Sequence, residues 1–125
     1  DDPKLFSGHP YHDLNLVKIA QSSASDLGIE LATGNYCWTL GPSYETSAVI
    51  EDMRRMGGDA VGMSTVPEII AAGELEMKVL TISCLTNYAA GISPTPLTHK
   101  DVVETAKKAG EKFTGLLKRI ISALN

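Results

Sequence analysis

Gly58-Asp59-Ala60-Val61-Gly62-Met63-Ser64-Thr65-Val66-Pro67-Glu68 is the stretch whose reading decides the fold. A short apolar run, Ala60 to Gly62, stops at Met63-Ser64-Thr65 and leads into a helical pattern with Pro67 in its first turn. Two other segments end the same way. Upstream, Asn35-Tyr36-Cys37-Trp38-Thr39-Leu40 runs into Gly41-Pro42-Ser43-Tyr44-Glu45-Thr46; downstream, Lys78-Val79-Leu80-Thr81-Ile82-Ser83-Cys84-Leu85 runs into Thr86-Asn87-Tyr88. Consecutive strand-helix units build parallel sheets, and ligands bind outside the carboxyl ends of the strands. The α/β reading therefore expects Tyr44, Glu45, Met63, Ser64, Thr86 and Asn87 to converge on one crevice. An aromatic face, a carboxylate, a carboxamide and hydroxyls suit a planar, hydrogen-bonding ligand.

The rest of the chain fills in around these units. Residues 1–12 hold Pro3, Gly8, Pro10, His9 and His12 and read as an irregular lead-in, with both histidines exposed loop residues rather than metal ligands. From Asp13, Val17, Ala20, Ala24 and Leu27 fall at helical spacing, and Gly28 is the stop. A strand is expected near Ile29 to Leu40. A helix follows from about Glu45 to Met56, with Val49, Met53 and Met56 as its core face and Gly57-Gly58 at its end. After a strand from Asp59 to Met63, Thr65 and Glu68 have capping-box spacing, which predicts a helix from about Val66 to Glu76. Lys78 to Leu85 reads as a strand buried on both faces. Residues 88–97 read as a loop, and Thr98 with Asp101 starts the final helix. Its apolar positions are Val102, Ala106, Ala109, Phe113, Leu117, Ile120 and Leu124.

With 125 residues, 43% hydrophobic and 21% charged, the chain has the composition of one globular domain with a core of its own. A net charge of -4 does not favour an electrostatic partnership with nucleic acid. No apolar run approaches the ~20 residues that span a bilayer, so no transmembrane helix is expected. Cys37 and Cys84 fall in expected buried strands without CxxC or zinc spacing, and read as free thiols in a reducing cytoplasm. The start, Asp1-Asp2-Pro3-Lys4, has no basic or apolar leader pattern, so a cytoplasmic protein without a signal peptide is expected; the lack of an initiator Met points to a piece of a longer chain or to its removal by processing.

Four blocks in order resemble the trimeric purine nucleoside phosphorylases. They are Gly41 to Thr46, Gly58 to Glu68, Ser83 to Tyr88, and Leu97-Thr98-His99-Lys100-Asp101-Val102. The likeness runs from about Tyr11 onward and is to the C-terminal half of that family. The family's glycine-rich phosphate loop, its phosphate-binding Arg and His and its ribose-contacting Tyr belong to the other half. That half is expected either to have been lost by truncation or nicking, or to travel as a separate polypeptide. Residues 1–125 are then the C-terminal half of a single phosphorylase domain. The fold implied is α/β, with a mixed, partly barrel-like sheet flanked by helices, assembled as a homotrimer.

The resemblance also implies roles. Glu45 resembles the purine-binding carboxylate that accepts N1–H and, in guanine, the 2-amino group; taken alone it is equally a first-turn Glu favoured by the helix dipole. Asn87 resembles the carboxamide that donates to O6 and binds N7, where the related methylthioadenosine phosphorylases carry Asp. Asn therefore points to 6-oxopurines; without the motif it would be an Asn closing a turn. Tyr44 resembles the aromatic residue packed on the base, Met63 the residue over the ribose, and Ser64 a phosphate-contacting serine. Thr86 resembles a base-site threonine, and His99 the histidine on the ribose 5'-hydroxyl. Each has a plainer reading: core for Tyr44 and Met63, a cap for Ser64, a strand end for Thr86, an exposed first-turn residue for His99.

The implied activity is reversible phosphorolysis of inosine or guanosine to base and ribose 1-phosphate. Inorganic phosphate is the co-substrate, with no metal and no organic cofactor. The rival readings are a methylthioadenosine phosphorylase, against which Asn87 argues, and a non-catalytic half-site that only binds purine or a partner half. A generic nucleotide-binding Rossmann domain lacks its GxGxxG. One segment departs from the family: Ala72-Gly73-Glu74-Leu75-Glu76 stands where Ala-Arg-His-x-Gly is common, and altered surface or subunit contacts are expected there.

Overall fold

Asp13 opens the first helix by accepting from the backbone N–H groups of Asn15 and Leu16 at 2.8 and 3.0 Å. The computed structural model describes residues 11–92 and 99–124, with side chains in the last stretch at 107 and from 109 onward. Helix α1 spans Leu14–Asp26 and ends as the periodicity predicts, with Leu27 at the C-cap and Gly28 at φ +64°. The C′ position of a helix commonly takes this left-handed conformation, which Gly adopts without a Cβ clash.

The elements that follow are strand β1 (Tyr36–Trp38), helix α2 (Ser47–Arg55), strand β2 (Ala60–Gly62), helix α3 (Val66–Glu74) and helix α4 (His99–Ser122). The two strands pair in parallel, Tyr36 with Ala60, Cys37 with Val61 and Trp38 with Gly62, with α2 as the crossover. This is the strand-helix-strand order expected of an α/β fold. Among the described residues the sheet has these two strands, and an isolated parallel bridge joins His12 to Val79. No helix among them is long and apolar enough to cross a membrane.

The core lies between α1 and α4. Ala20 and Ala24 meet Leu116 and Ile120, with Ile19, Ile29, Leu31, Leu80 and Ile82 packed around them. Alanines on α1 let the two helix backbones approach closely, so the larger side chains come from α4. Arg119 closes the same pair with a 2.7 Å bond to Asp26, but both side chains are nearly half-exposed and the bridge is worth at most about 1 kcal/mol.

Several expectations are corrected. The strand from Ile29 to Leu40 shrinks to three residues, because Ile29 and Leu31 turn into the helical core instead of joining the ladder. The segment from Lys78 to Leu85 forms no strand: among the described residues its one backbone bridge is at Val79. Its end, Ser83 to Leu85, is exposed rather than buried, since no described backbone lies alongside to pair with it. Cys84 is accordingly exposed and Cys37 half-buried. Thr46 caps α2, so that helix begins two residues after Glu45; Ile50 becomes its buried residue, while Val49 and Met56 face solvent.

Helix α3 stops at Glu74 because Glu76 adopts φ +56°, a left-handed turn after the Leu75 C-cap. Within the departing segment, Gly73 packs against the ring of Tyr11 with no space for a side chain, an intrachain contact where a surface change was expected. His12 is not a free loop residue: its ring is half-buried and bonds Thr81 Oγ1 at 2.9 Å. In α4, Leu116 and Ile120 take the core side, Leu124 faces solvent, and Leu117, just over a third exposed, lines an apolar cavity beside Phe113. His9, the loop from 93 to 97, the Thr98 start and the side chains of Val102 and Ala106 lie outside the described residues.

Candidate functional site

Parallel pairing puts the carboxyl ends of β1 and β2 on one edge, and the hydrogen bond from Thr39 N–H to Gly62 O (3.0 Å) carries the ladder one residue further. Beyond it the chain reverses through Leu40, Gly41 at φ +65° and a cis Gly41–Pro42 peptide. Gly41 presses against Met63: a Cβ there would lie 2.7 Å from Met63 Sδ. The reversal returns Glu45 over the end of β1, where its Oε1 accepts the Thr39 hydroxyl at 2.6 Å. Glu45 is half-buried, and Tyr44 beside it is 85% exposed.

From β2 the chain passes half-buried Met63 and exposed Ser64. The Tyr36 hydroxyl reaches Ser64 O at 3.4 Å, and Ser64 Oγ lies 3.4 Å from Thr65 Oγ1. Thr65 has φ +81°, ψ -47°, and Val66 N–H bonds back to Ser64 O at 3.0 Å. That is a positive-φ γ-turn, a rare and strained conformation for a β-branched residue. The capping box is thereby overturned: an N-cap side chain needs an extended backbone to reach the first-turn N–H groups, and Thr65 makes no such bond.

Thr86 and Asn87 satisfy each other locally. Thr86 Oγ1 donates to Asn87 Oδ1 at 2.7 Å, and Asn87 Nδ2 donates to Tyr88 O at 3.0 Å. Each end of the amide keeps one free capacity, a lone pair on oxygen and a proton on nitrogen. Gly91 lies against Ser47, so the loop after Asn87 passes the start of α2, two residues beyond Glu45. His99 is the first residue of α4; its side chain lies outside the described residues.

The edge so built brings Thr39, Gly41, Glu45 and Met63 together, with Ser64 and Thr65 on the adjoining turn. Thr86 and Asn87 have no direct bond to that group among the described residues. A cavity of about 430 Å³ lies elsewhere, between α3, residues 79–82 and α4; Ile69, Ala72, Leu80, Ile82 and Phe113 are among its lining residues. It is apolar and holds none of the expected site residues. No group of three or more His, Cys, Asp or Glu among the described residues is arranged to hold a metal ion. Burial, and secondarily the Asp59 carboxylate, push the Cys37 thiol above its ordinary pKa, which keeps it protonated and poorly nucleophilic.

Thr39 and Tyr36 were missed as site-edge residues by sequence reasoning. Thr39 had a signal, a hydroxyl at the strand's end six residues before the acid. The reach of Tyr36 to Ser64 had none, since it depends on register across the sheet.

The phosphorylase superfamily matches residues 3–122 of this chain. Purine nucleoside phosphorylase 1 of Geobacillus stearothermophilus is 49% identical over 106 residues, covering 85% of this chain and 39% of that protein. The 6-oxopurine nucleoside phosphorylase of Pyrococcus furiosus is 45% identical over 97 residues, 77% of this chain and 37% of that one. Among solved structures, a schistosome purine nucleoside phosphorylase in complex with hypoxanthine superposes with a TM-score of 0.86 at 31% identity, over 92% of this chain and 42% of that one. The chain thus spans about two fifths of the length of the curated relatives it matches.

Proposed function

Since the chain belongs to the phosphorylase superfamily, we propose that the complete protein of which it forms part carries out reversible phosphorolysis of 6-oxopurine nucleosides, yielding free base and ribose 1-phosphate. The observation that carries this reading is Glu45. It is a half-buried carboxylate with one oxygen held by Thr39, on the sheet edge where Gly41 meets Met63. A carboxylate accepts and cannot donate, which matches the N1–H of hypoxanthine and the N1–H and 2-amino group of guanine.

Asn87 supplies the complementary half of base recognition. Its amide nitrogen donates to O6, and its oxygen accepts from a protonated N7. As the C–N bond breaks, negative charge moves onto the imidazole ring, N7 becomes more basic and that bond strengthens. Interactions that strengthen in the transition state are the ones that accelerate the step. Tyr44 packs on the base, with Thr86 at its edge, Met63 and His99 orient the sugar, and Ser64 contributes to phosphate binding at the start of α3. The mechanism is positioning plus electrostatics, with inorganic phosphate as co-substrate, no organic cofactor and no covalent nucleophile. The working assembly is a homotrimer.

A second reading has its own support. Tyr44, Ser64 and Asn87 are exposed, and the chain spans two fifths of its relatives. Residues 1–125 alone are then a half-site that binds a purine base without cleaving a nucleoside. Release of hypoxanthine from inosine, measured with and without phosphate on the complete protein and on residues 1–125, separates the two. Phosphate-dependent release by the complete protein alone is the expected result. A complete protein that releases no base overturns the phosphorylase reading, and calorimetry showing no purine binding by residues 1–125 overturns the half-site.

A further inference from the structure

We propose that Thr39 is a positioning residue for Glu45, fixing one carboxylate oxygen to the sheet so that the other faces the purine. The proposal rests on the phosphorolysis reading, in which Glu45 binds the base. Three observations carry it. The Thr39 hydroxyl donates to Glu45 Oε1 at 2.6 Å, a short, charge-assisted bond. The Thr39 backbone is itself anchored, its N–H bonded to Gly62 O at 3.0 Å across the sheet. The chain between the two residues is held as a reversal by Gly41, pressed on the Met63 side chain.

A glutamate has three side-chain torsions, and ordering them on ligand binding costs affinity. Thr39 sets that order in advance from a rigid element, the strand end, rather than from a loop. Among the described residues Glu45 Oε1 has Thr39 as its side-chain partner, which leaves Oε2 and one lone pair of Oε1 for ligand donors. Guanine brings two parallel donors, N1–H and the 2-amino group, and needs the carboxylate plane fixed. Hypoxanthine brings one and tolerates a looser plane. The dependence on Thr39 is therefore greater for guanosine than for inosine.

The test is steady-state phosphorolysis by the complete protein carrying Thr39→Val, which keeps the shape and removes the hydroxyl, beside Thr39→Ser, Thr39→Ala and Glu45→Gln. Thr39→Val is expected to lower kcat/KM for guanosine by about tenfold, as for loss of one hydrogen bond to a charged group. Inosine should lose less, the KM for phosphate should stay unchanged, and Thr39→Ser should restore most of the loss. Thr39→Ala, lacking the same hydroxyl, repeats the measurement should the valine variant fold poorly. Impairment by Glu45→Gln with a wild-type Thr39→Val removes the positioning role alone, and so does a Thr39→Val that weakens phosphate and nucleoside equally. A Glu45→Gln indistinguishable from wild type overturns the base-binding reading and this proposal with it.

Discussion

Asn87 spends one lone pair and one proton on Thr86 and Tyr88, and that local economy sets what a substitution there does. In the proposed mode of base binding, aspartate at this position keeps the acceptor for the Thr86 hydroxyl and loses the amide donor to O6 of a 6-oxopurine. It favours a 6-amino group instead. If the complete protein is the proposed phosphorylase, Asn87→Asp is expected to move its inosine/adenosine ratio of kcat/KM toward adenosine by at least about tenfold, because a polar site left unpaired discriminates strongly. Unchanged selectivity would remove the argument for a 6-oxopurine substrate. Glu45 and Asn87 were legible through the motifs they stand in rather than by type, since alone Glu45 reads equally well as a helix-start acid and Asn87 as a turn residue. Their partners were not: Thr39 is one hydroxyl among many until the reversal at Gly41 folds Glu45 back onto it.

The junction between β2 and α3 shows how an element can be read correctly and its start wrongly. Thr65 and Glu68 have the spacing of a capping box, and a helix does begin at Val66. The turn from the sheet into that helix is too tight for an extended cap residue, so Thr65 sits in a positive-φ γ-turn with its hydroxyl toward Ser64. Conformations of this class cost about 1–3 kcal/mol in a non-glycine residue. Glycine relieves the strain and gives back part of the gain through its freer unfolded chain. Thr65→Gly is therefore expected to stabilise the complete protein by about 1 kcal/mol, seen as a rise of a few degrees in Tm by calorimetry. A fall in Tm would mean that the γ-turn is not strained in solution. By contrast Asp13 and Gly28, flanking α1, act as their types predict, because both ends of that helix are set by local bonds alone.

At the scale of the whole molecule, apolar side chains among the described residues outnumber the places available to bury them. Among the described residues the buried apolar set is Ala20, Ala24, Ile50, Leu116 and Ile120. Leu40, Tyr44, Leu85 and Tyr88 are each well over half exposed, and an apolar cavity opens between α3 and α4. Such exposure over several neighbouring elements exceeds the scattered apolar residues normal on a surface. Residues 1–125 produced alone are expected to enhance the fluorescence of an apolar-surface dye several-fold over an equal concentration of the complete protein. Equal fluorescence from the two would show that the 125 residues bury these side chains by themselves. The segment from Leu80 to Leu85 belongs to the same pattern: its composition is that of a buried strand, but a strand needs a neighbour to hydrogen-bond, and none of the described residues supplies one beyond Val79.

The places of the four helices, the helical periods of α1 and α4 and the parallel pairing implied by strand-helix repetition were determined by the sequence. These properties depend on spacing along the chain and on side-chain chemistry, and both are local. Tertiary structure alone decided how long each strand is, which side of α2 and α4 is buried, where Thr65 turns, and which hydroxyl holds Glu45. Each of those depends on a partner distant in sequence, on register across the sheet or on the close approach of two backbones, and spacing along one segment carries no information about either.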